Sequence, residues 1–252
     1  MFDFTDQVVA VTGASSGLGV QMARGFAELG AKVILMARRV ERLENLEKEI
    51  KDAGGEALSI PLDVTDDEQI DASLKKILDT YGKVDVLLNV AGGNEGGAVT
   101  EMTNEAWDFT IELDLTSVFK MTRAYSRVMK EAGYGRIINI ASMYGLTGTN
   151  QQQGAYHASK AGVVNFSRAA AAELAPYGVT VNTICPGFFA TELTIDTLET
   201  EAFQQYMNVT VPMARYGNEG ELNSAAIFLA AKESAYVTGV ALPVDGGWSS
   251  SK

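Results

Sequence analysis

One cysteine, Cys185, leaves no partner for an intrachain disulfide and no thiolate cluster for a metal. One histidine, His157, likewise argues against a zinc site, and no HExxH spacing occurs. Positive charge is scarce too: 20 basic residues stand against 32 acidic ones, a net charge of −12. A surface of that sign repels phosphate backbones and anionic lipid, which argues against nucleic-acid and membrane partners. No apolar run approaches the ~20 residues that span a bilayer. The opening Met1-Phe2-Asp3-Phe4-Thr5-Asp6 carries acid where a secretory leader carries base. These absences predict a cytoplasmic protein in a reducing compartment, with no metal.

What remains is ordinary for a folded chain. Of 252 residues, 46% are hydrophobic and 21% charged, which excludes disorder as the main state. Short apolar runs recur at Val8–Val11, Val33–Ala37, Ala57–Ile60, Val84–Leu88, Ile137–Ala141, Val179–Ile184 and Val240–Val244. Most are continuous rather than alternating, as in strands buried on both faces. Between them the period turns helical: Val40, Leu43, Leu46 and Ile50 step by 3, 3 and 4, and Ile70, Leu74 and Ile77 by 4 and 3. Alternating strands and helices with no break in composition predict an α/β fold. It is one domain over 1–252, a doubly wound parallel sheet of about seven strands with helices on both faces. The stretch 186–217 interrupts that rhythm with one short helix, about Leu198 to Met207, and with Phe188, Phe189, Phe203, Tyr206 and Met207. Its position past a strand end suits a substrate lid, and a packing or oligomer segment is the alternative.

Three constellations carry chemistry. The first strand runs into Thr12-Gly13-Ala14-Ser15-Ser16-Gly17-Leu18-Gly19. Glycines there allow a tight turn and close approach to a pyrophosphate, and the following helix offers its unpaired amides. No GK[ST] follows, so the turn is not a triphosphate loop. The second strand ends at Ala37-Arg38-Arg39, where a carboxylate would accept from a ribose 2′-hydroxyl. Two guanidinium groups instead suit a 2′-phosphate and favour NADP(H) over NAD(H), a solvated arginine pair being the alternative. Third, Tyr156 and Lys160 stand four residues apart, with Ser142 fourteen residues upstream at a strand end. That spacing puts both on one helix face, where an ammonium favours phenolate and fits the tyrosine for acid–base work.

Together these residues resemble the short-chain dehydrogenase/reductase family over nearly the whole chain. TGxxxGxG matches Thr12 to Gly19, Asp63-Val64 resembles the adenine-contacting pair, and Asn89-Val90-Ala91-Gly92 resembles the NNAG turn. Pro186-Gly187 with Thr191 resembles the stretch that holds the nicotinamide carboxamide, a role extended to Phe189. Val237-Thr238-Gly239 and Asp245-Gly246-Gly247 match the C-terminal pattern. The resemblance implies a single-domain Rossmann fold and hydride transfer between a nicotinamide dinucleotide and a carbonyl or secondary alcohol. It also implies that Ser142, Tyr156 and Lys160 are catalytic, with Tyr156 and Lys160 also contacting the cofactor and Lys160 binding the nicotinamide ribose, that Gly13, Ser15, Ser16, Gly17, Leu18 and Gly19 cradle the cofactor, and that the chain forms a homotetramer or homodimer. Within the family the chain is similar to 3-oxoacyl-carrier-protein reductases, gluconate 5-dehydrogenases and bacterial hydroxysteroid dehydrogenases.

Two positions depart from that pattern. Asp114 stands where the family places an asparagine, joining the candidate catalytic set with an added charge near Lys160, and Val90 replaces the second asparagine of NNAG. His157 follows Tyr156 and is expected to point about 100° away around the helix. Cys185 reads as a small buried hydrophobe. Gly93, Asn94, Met143, Tyr144, Gln151–Gln153, Phe188, Phe189 and Tyr206 are candidate pocket residues, and the polar run from Asn150 to Gln153 suits a polyhydroxy or acidic substrate. An NAD(H)-linked sugar-acid or hydroxysteroid dehydrogenase and a catalytically inert dinucleotide-binding protein stay open as alternatives.

Overall fold

The computed structural model describes residues 2–192 and 194–251. Seven strands form one parallel sheet: β1 Val8–Thr12, β2 Lys32–Ala37, β3 Glu56–Pro61, β4 Val86–Asn89, β5 Gly135–Ile140, β6 Val179–Pro186 and β7 Ala241–Val244. The helices are α1 Gly17–Glu28, α2 Val40–Asp52, α3 Asp67–Tyr81, α4 Asn104–Ile111, α5 Ser117–Ala132, α6 Gly154–Leu174, α7 Ile195–Leu198, α8 Glu201–Thr210 and α9 Asn223–Ala230. β1, β4, β5 and β6 are buried along their whole length, which is why their sequences run apolar without alternation.

One apolar layer joins α1, α2 and α9 to one face of the sheet and includes Phe26, Leu43 and Leu229. A second joins α3, α5 and part of α6 to the other face and includes Ile77, Tyr125 and Met129. The single-domain, doubly wound reading of the sequence is therefore the architecture observed. No helix among the described residues is long and apolar enough to cross a membrane.

Strand order is β3-β2-β1-β4-β5-β6-β7, so the winding reverses between β1 and β4. Side chains and loops beyond the carboxyl ends of those two strands border a crevice, the usual ligand position in such sheets. Thr12 stitches the two ends together: its hydroxyl donates to Leu88 O at 3.3 Å and accepts from the amides of Val90 at 2.9 Å and Ala91 at 3.1 Å.

The short helix expected near Leu198 to Met207 is instead two helices, α7 and α8. Thr200 separates them because its hydroxyl accepts from the Phe203 amide and caps α8, and hydroxyls at such positions compete with helix continuation. The segment that carries them is closed at its base: Gly217 N donates to Phe188 O at 2.8 Å and Ala190 N to Gly217 O at 3.0 Å.

Candidate active site

The glycine turn is forced by crowding. Gly13 has φ +69°, and a Cβ there would lie 2.9 Å from the Ala91 backbone, so only glycine lets the β1 turn approach the β4 turn this closely. Ser16 then occupies the N-cap position of α1 without capping it; its hydroxyl instead accepts from Arg39 at 2.6 Å. The first amides of α1 are left without a side-chain cap, the condition for binding an anion at a helix N-terminus.

A cavity of about 490 Å³ opens over this turn, within the range of small-ligand sites. Gly13, Ser15, Ser16, Gly17, Leu18, Gly19, Arg38, Arg39, Asp63, Val64 and Thr191, all expected at the cofactor, line it. Ala37, Leu62, Val90, Ala91, Gly92 and Leu113 line it as well. Arg39 is anchored across the turn, donating to Ser15 Oγ at 3.2 Å and Ser16 Oγ at 2.6 Å. Arg38 is freer: its side chain is 70% exposed and lies 4.0 Å from Asp63. Burial opposes ionisation of Asp63, but the amide and hydroxyl of Thr65 and the Arg38 charge hold its carboxyl below the usual range.

Four residues expected at the cofactor, Asn89, Tyr156, Lys160 and Phe189, are not among those that line this cavity. Asn89 is buried in the sheet, where its amide nitrogen donates to Asn139 Oδ1 at 2.8 Å, and Asn139 in turn donates to Ser167. Its side chain ties β4 to β5 and is not among the residues that line the cavity. The Phe189 ring joins the apolar core and lines a separate cavity with Gly217, so any contribution of that residue to the dinucleotide comes from its backbone.

The second half of the site sits over β4, β5 and α6. Ser142 ends β5 with an extended backbone, and its hydroxyl accepts from Tyr144 N at 3.1 Å, starting a tight turn over Met143–Gly145. A Cβ on Gly145 would lie 2.7 Å from the Lys160 carbonyl, so that turn presses directly on α6. Tyr156 and Lys160 share a face of α6, with the ammonium 5.4 Å from the phenol ring centre. The Lys160 side chain is buried and donates to Ile140 O at 3.3 Å.

Beneath it stands Asp114. A single π-turn over Glu112–Thr116, between α4 and α5, rotates this residue fully inward; such bulges are common at functional sites. Its Oδ1 accepts from Gly93 N at 2.8 Å and its Oδ2 lies 3.3 Å from Lys160 Nζ. Burial pushes the Asp114 carboxyl above its ordinary range, against the opposing pull of Lys160 and of the Gly93 amide.

His157 faces away from the reacting groups. Its Nδ1 donates to Gln153 O at 2.8 Å, which leaves Nε2 to accept from Thr149 Oγ1 at 3.0 Å. The imidazole stacks on Tyr144 at 4.7 Å, a supporting contact that the sequence did not reveal. Cys185 is fully buried, and burial pushes its thiol up to about 12, consistent with an inert hydrophobe. Asn94 and Asn150 to Gln152 are exposed, and Gln153 is half-buried.

Comparison with known proteins agrees with this geometry. The family model described as short chain dehydrogenase matches residues 7–202. A 3-oxoacyl-[acyl-carrier-protein] reductase of Synechocystis sp. is 40% identical over 249 residues, covering 98% of each chain. One of Vibrio cholerae is 41% identical over 244 residues, covering 96% of each. The crystal structure of a gluconate 5-dehydrogenase from Burkholderia cenocepacia, in complex with NADP and tartrate, superimposes with a TM-score of 0.94 at 32% identity, covering 99% of this chain and 97% of that one. With the family model matching residues 7–202 and relatives of about 40% identity covering nearly the whole chain, the chain belongs to the short-chain dehydrogenase/reductase family, oxidoreductases that act on carbonyl and alcohol groups with a nicotinamide dinucleotide.

Proposed function

We propose that this chain is an NADP(H)-dependent carbonyl reductase and alcohol dehydrogenase in which Tyr156 is the acid and base. The observation that carries this reading is the stack of Tyr156, Lys160 and Asp114 at the edge of the dinucleotide cavity. The bound nicotinamide supplies or accepts the hydride. Everything else is done by side chains of the chain.

Ser142 donates its hydroxyl hydrogen to the reacting oxygen and so fixes the carbonyl, since its own oxygen already accepts from Tyr144 N. Tyr156 delivers its phenolic proton to the developing alkoxide during reduction and removes it during oxidation. Lys160 places a fixed cation beside the phenol, supporting the phenolate left after proton donation. Asp114 is a positioning residue: it pins the ammonium from below and, through Gly93, the loop after β4. The segment 186–217, stitched at its base, acts as the lid over the substrate.

Arg38 and Arg39 support NADP(H) as the partner, because both line the cavity where an adenosine 2′-phosphate belongs and no carboxylate occupies that strand end. Arg38→Ala is expected to weaken NADPH binding by about tenfold or more, the worth of one charge-assisted hydrogen bond, and NADH binding far less. Side-by-side fluorescence titrations measure both. Equal weakening would remove Arg38 as the reader of the phosphate. In the wild type, NADPH at ~100 times its dissociation constant should add about 2.7 kcal/mol to the folded state, visible as a thermal shift.

A further inference from the structure

Aromatic rings gather beside Tyr156. Phe188 meets Phe203 edge-on at 5.0 Å and Tyr206 at 6.1 Å, and Phe203 and Tyr206 lie 5.6 Å apart. Tyr144 stands edge-on to Tyr156 at 6.3 Å and is backed by Trp248 at 5.8 Å. Met143, Met207, Val211 and Trp248 are buried behind, and this cluster packs directly against Tyr156, Phe188 and Phe203. Four remote stretches of chain thus converge on the acid–base residue with apolar faces and edges.

The cations that adjoin this cluster among the described residues are already committed. Lys160 is paired with Asp114 at 3.3 Å. Arg215, next to Tyr216, holds Glu221 with two contacts of 2.7 and 2.9 Å. A carboxylate on the substrate would lose its water without gaining a counter-ion, in a protein whose net charge of −12 also repels it.

We propose that the substrate is an uncharged cyclic ketone, aryl or alicyclic, whose carbonyl reaches Tyr156 and Ser142 while its ring packs against Phe188, Phe203 and Tyr206. This rests on the reaction proposed above. Crossed aromatic side chains offer edges and faces at the spacing that ring stacking prefers. A rigid ring also loses less internal freedom on binding than a linear acyl chain. In the reduction, hydride from NADPH bonds to the carbonyl carbon and the C=O π pair becomes an alkoxide. That alkoxide takes the Tyr156 proton, giving a secondary alcohol and NADP⁺, and water returns a proton to the phenolate.

The test is a panel of initial rates of NADPH oxidation with 1-tetralone and cyclohexanone, a linear acetoacetyl thioester, and 5-ketogluconate. Ring ketones are expected to show the highest kcat/KM, exceeding the sugar acid by about 100-fold or more, as loss of a buried counter-charge implies. Phe203→Ala should raise KM for 1-tetralone by about tenfold, more than it lowers kcat. Faster turnover of the thioester or the sugar acid overturns the substrate class while leaving the reaction standing. No turnover of any carbonyl by protein that binds NADPH overturns the reaction as well.

Discussion

Tyr156→Phe is expected to bind NADPH as the wild type does and to lose about 10²–10⁴-fold in kcat, the usual worth of a positioned acid or base. The ring of Tyr156 packs against the aromatic cluster and stands edge-on to Tyr144, so phenylalanine keeps every apolar contact and loses only the hydroxyl. The cavity lined by the glycine turn and Arg38–Arg39 does not include this side chain, which is why binding of the adenosine end should survive. Dinucleotide titration and steady-state rates separate the two effects. A variant with wild-type kcat would remove Tyr156 from the chemistry; one that no longer binds NADPH would make it a binding residue.

A second large effect is expected from Lys160→Met. Asp114 has no solvent exposure, and Lys160 Nζ at 3.3 Å is its counter-charge. Breaking a buried ion pair by removing one member typically costs about 3–5 kcal/mol, because the other charge stays buried and unpaired. The sign with pH follows from the raised carboxyl. A folded-state value above the unfolded one means that the folded chain holds its proton longer, so stability is full below the ordinary carboxylate range and is lost as pH rises through the raised value. Removing Lys160 takes away the one charge opposing that rise, so the penalty should be small at acid pH and full at neutral pH.

Asp114→Asn in the Lys160→Met background should restore most of the lost stability, since asparagine still accepts from Gly93 N without a charge to bury. Denaturant unfolding of the single and double variants measures this. A Lys160→Met protein as stable as the wild type at neutral pH would mean that the pair is not energetically coupled.

How much of this was legible in the sequence follows from how local each feature is. The glycine turn, the end of β2 and the i, i+4 pair on α6 are contiguous motifs whose geometry is set by a few residues, and the structure puts each where its spacing demands. The surroundings of Asn89 were not legible because they are set by strand register: β4 pairs Asn89 with Asn139, and the Asn89 amide nitrogen donates to Asn139 Oδ1. Asp114 was visible as an exception that adds charge near Lys160, but the π-turn that turns it inward was not, because such a turn in the middle of a helical stretch leaves no periodic signal. Phe188, Phe203 and Tyr206 were visible as aromatics of the 186–217 stretch, but their meeting with one another, and that of Tyr144 with Trp248, was not, because contacts between remote segments belong to tertiary packing. The break at Thr200 is the smallest case, a single hydroxyl that outweighs the apolar period on either side.

The central claim is direct transfer of hydride from NADPH to a carbonyl carbon in this chain. Reduction of 1-tetralone with NADPH doubly deuterated at nicotinamide C4, followed by mass spectrometry and NMR of the product, tests it most directly. The expected product is an alcohol carrying one deuterium on the carbinol carbon. Tyr156→Phe is expected to slow formation of this product without changing where the label goes. An alcohol without deuterium, or no alcohol from protein that binds NADPH, would contradict it.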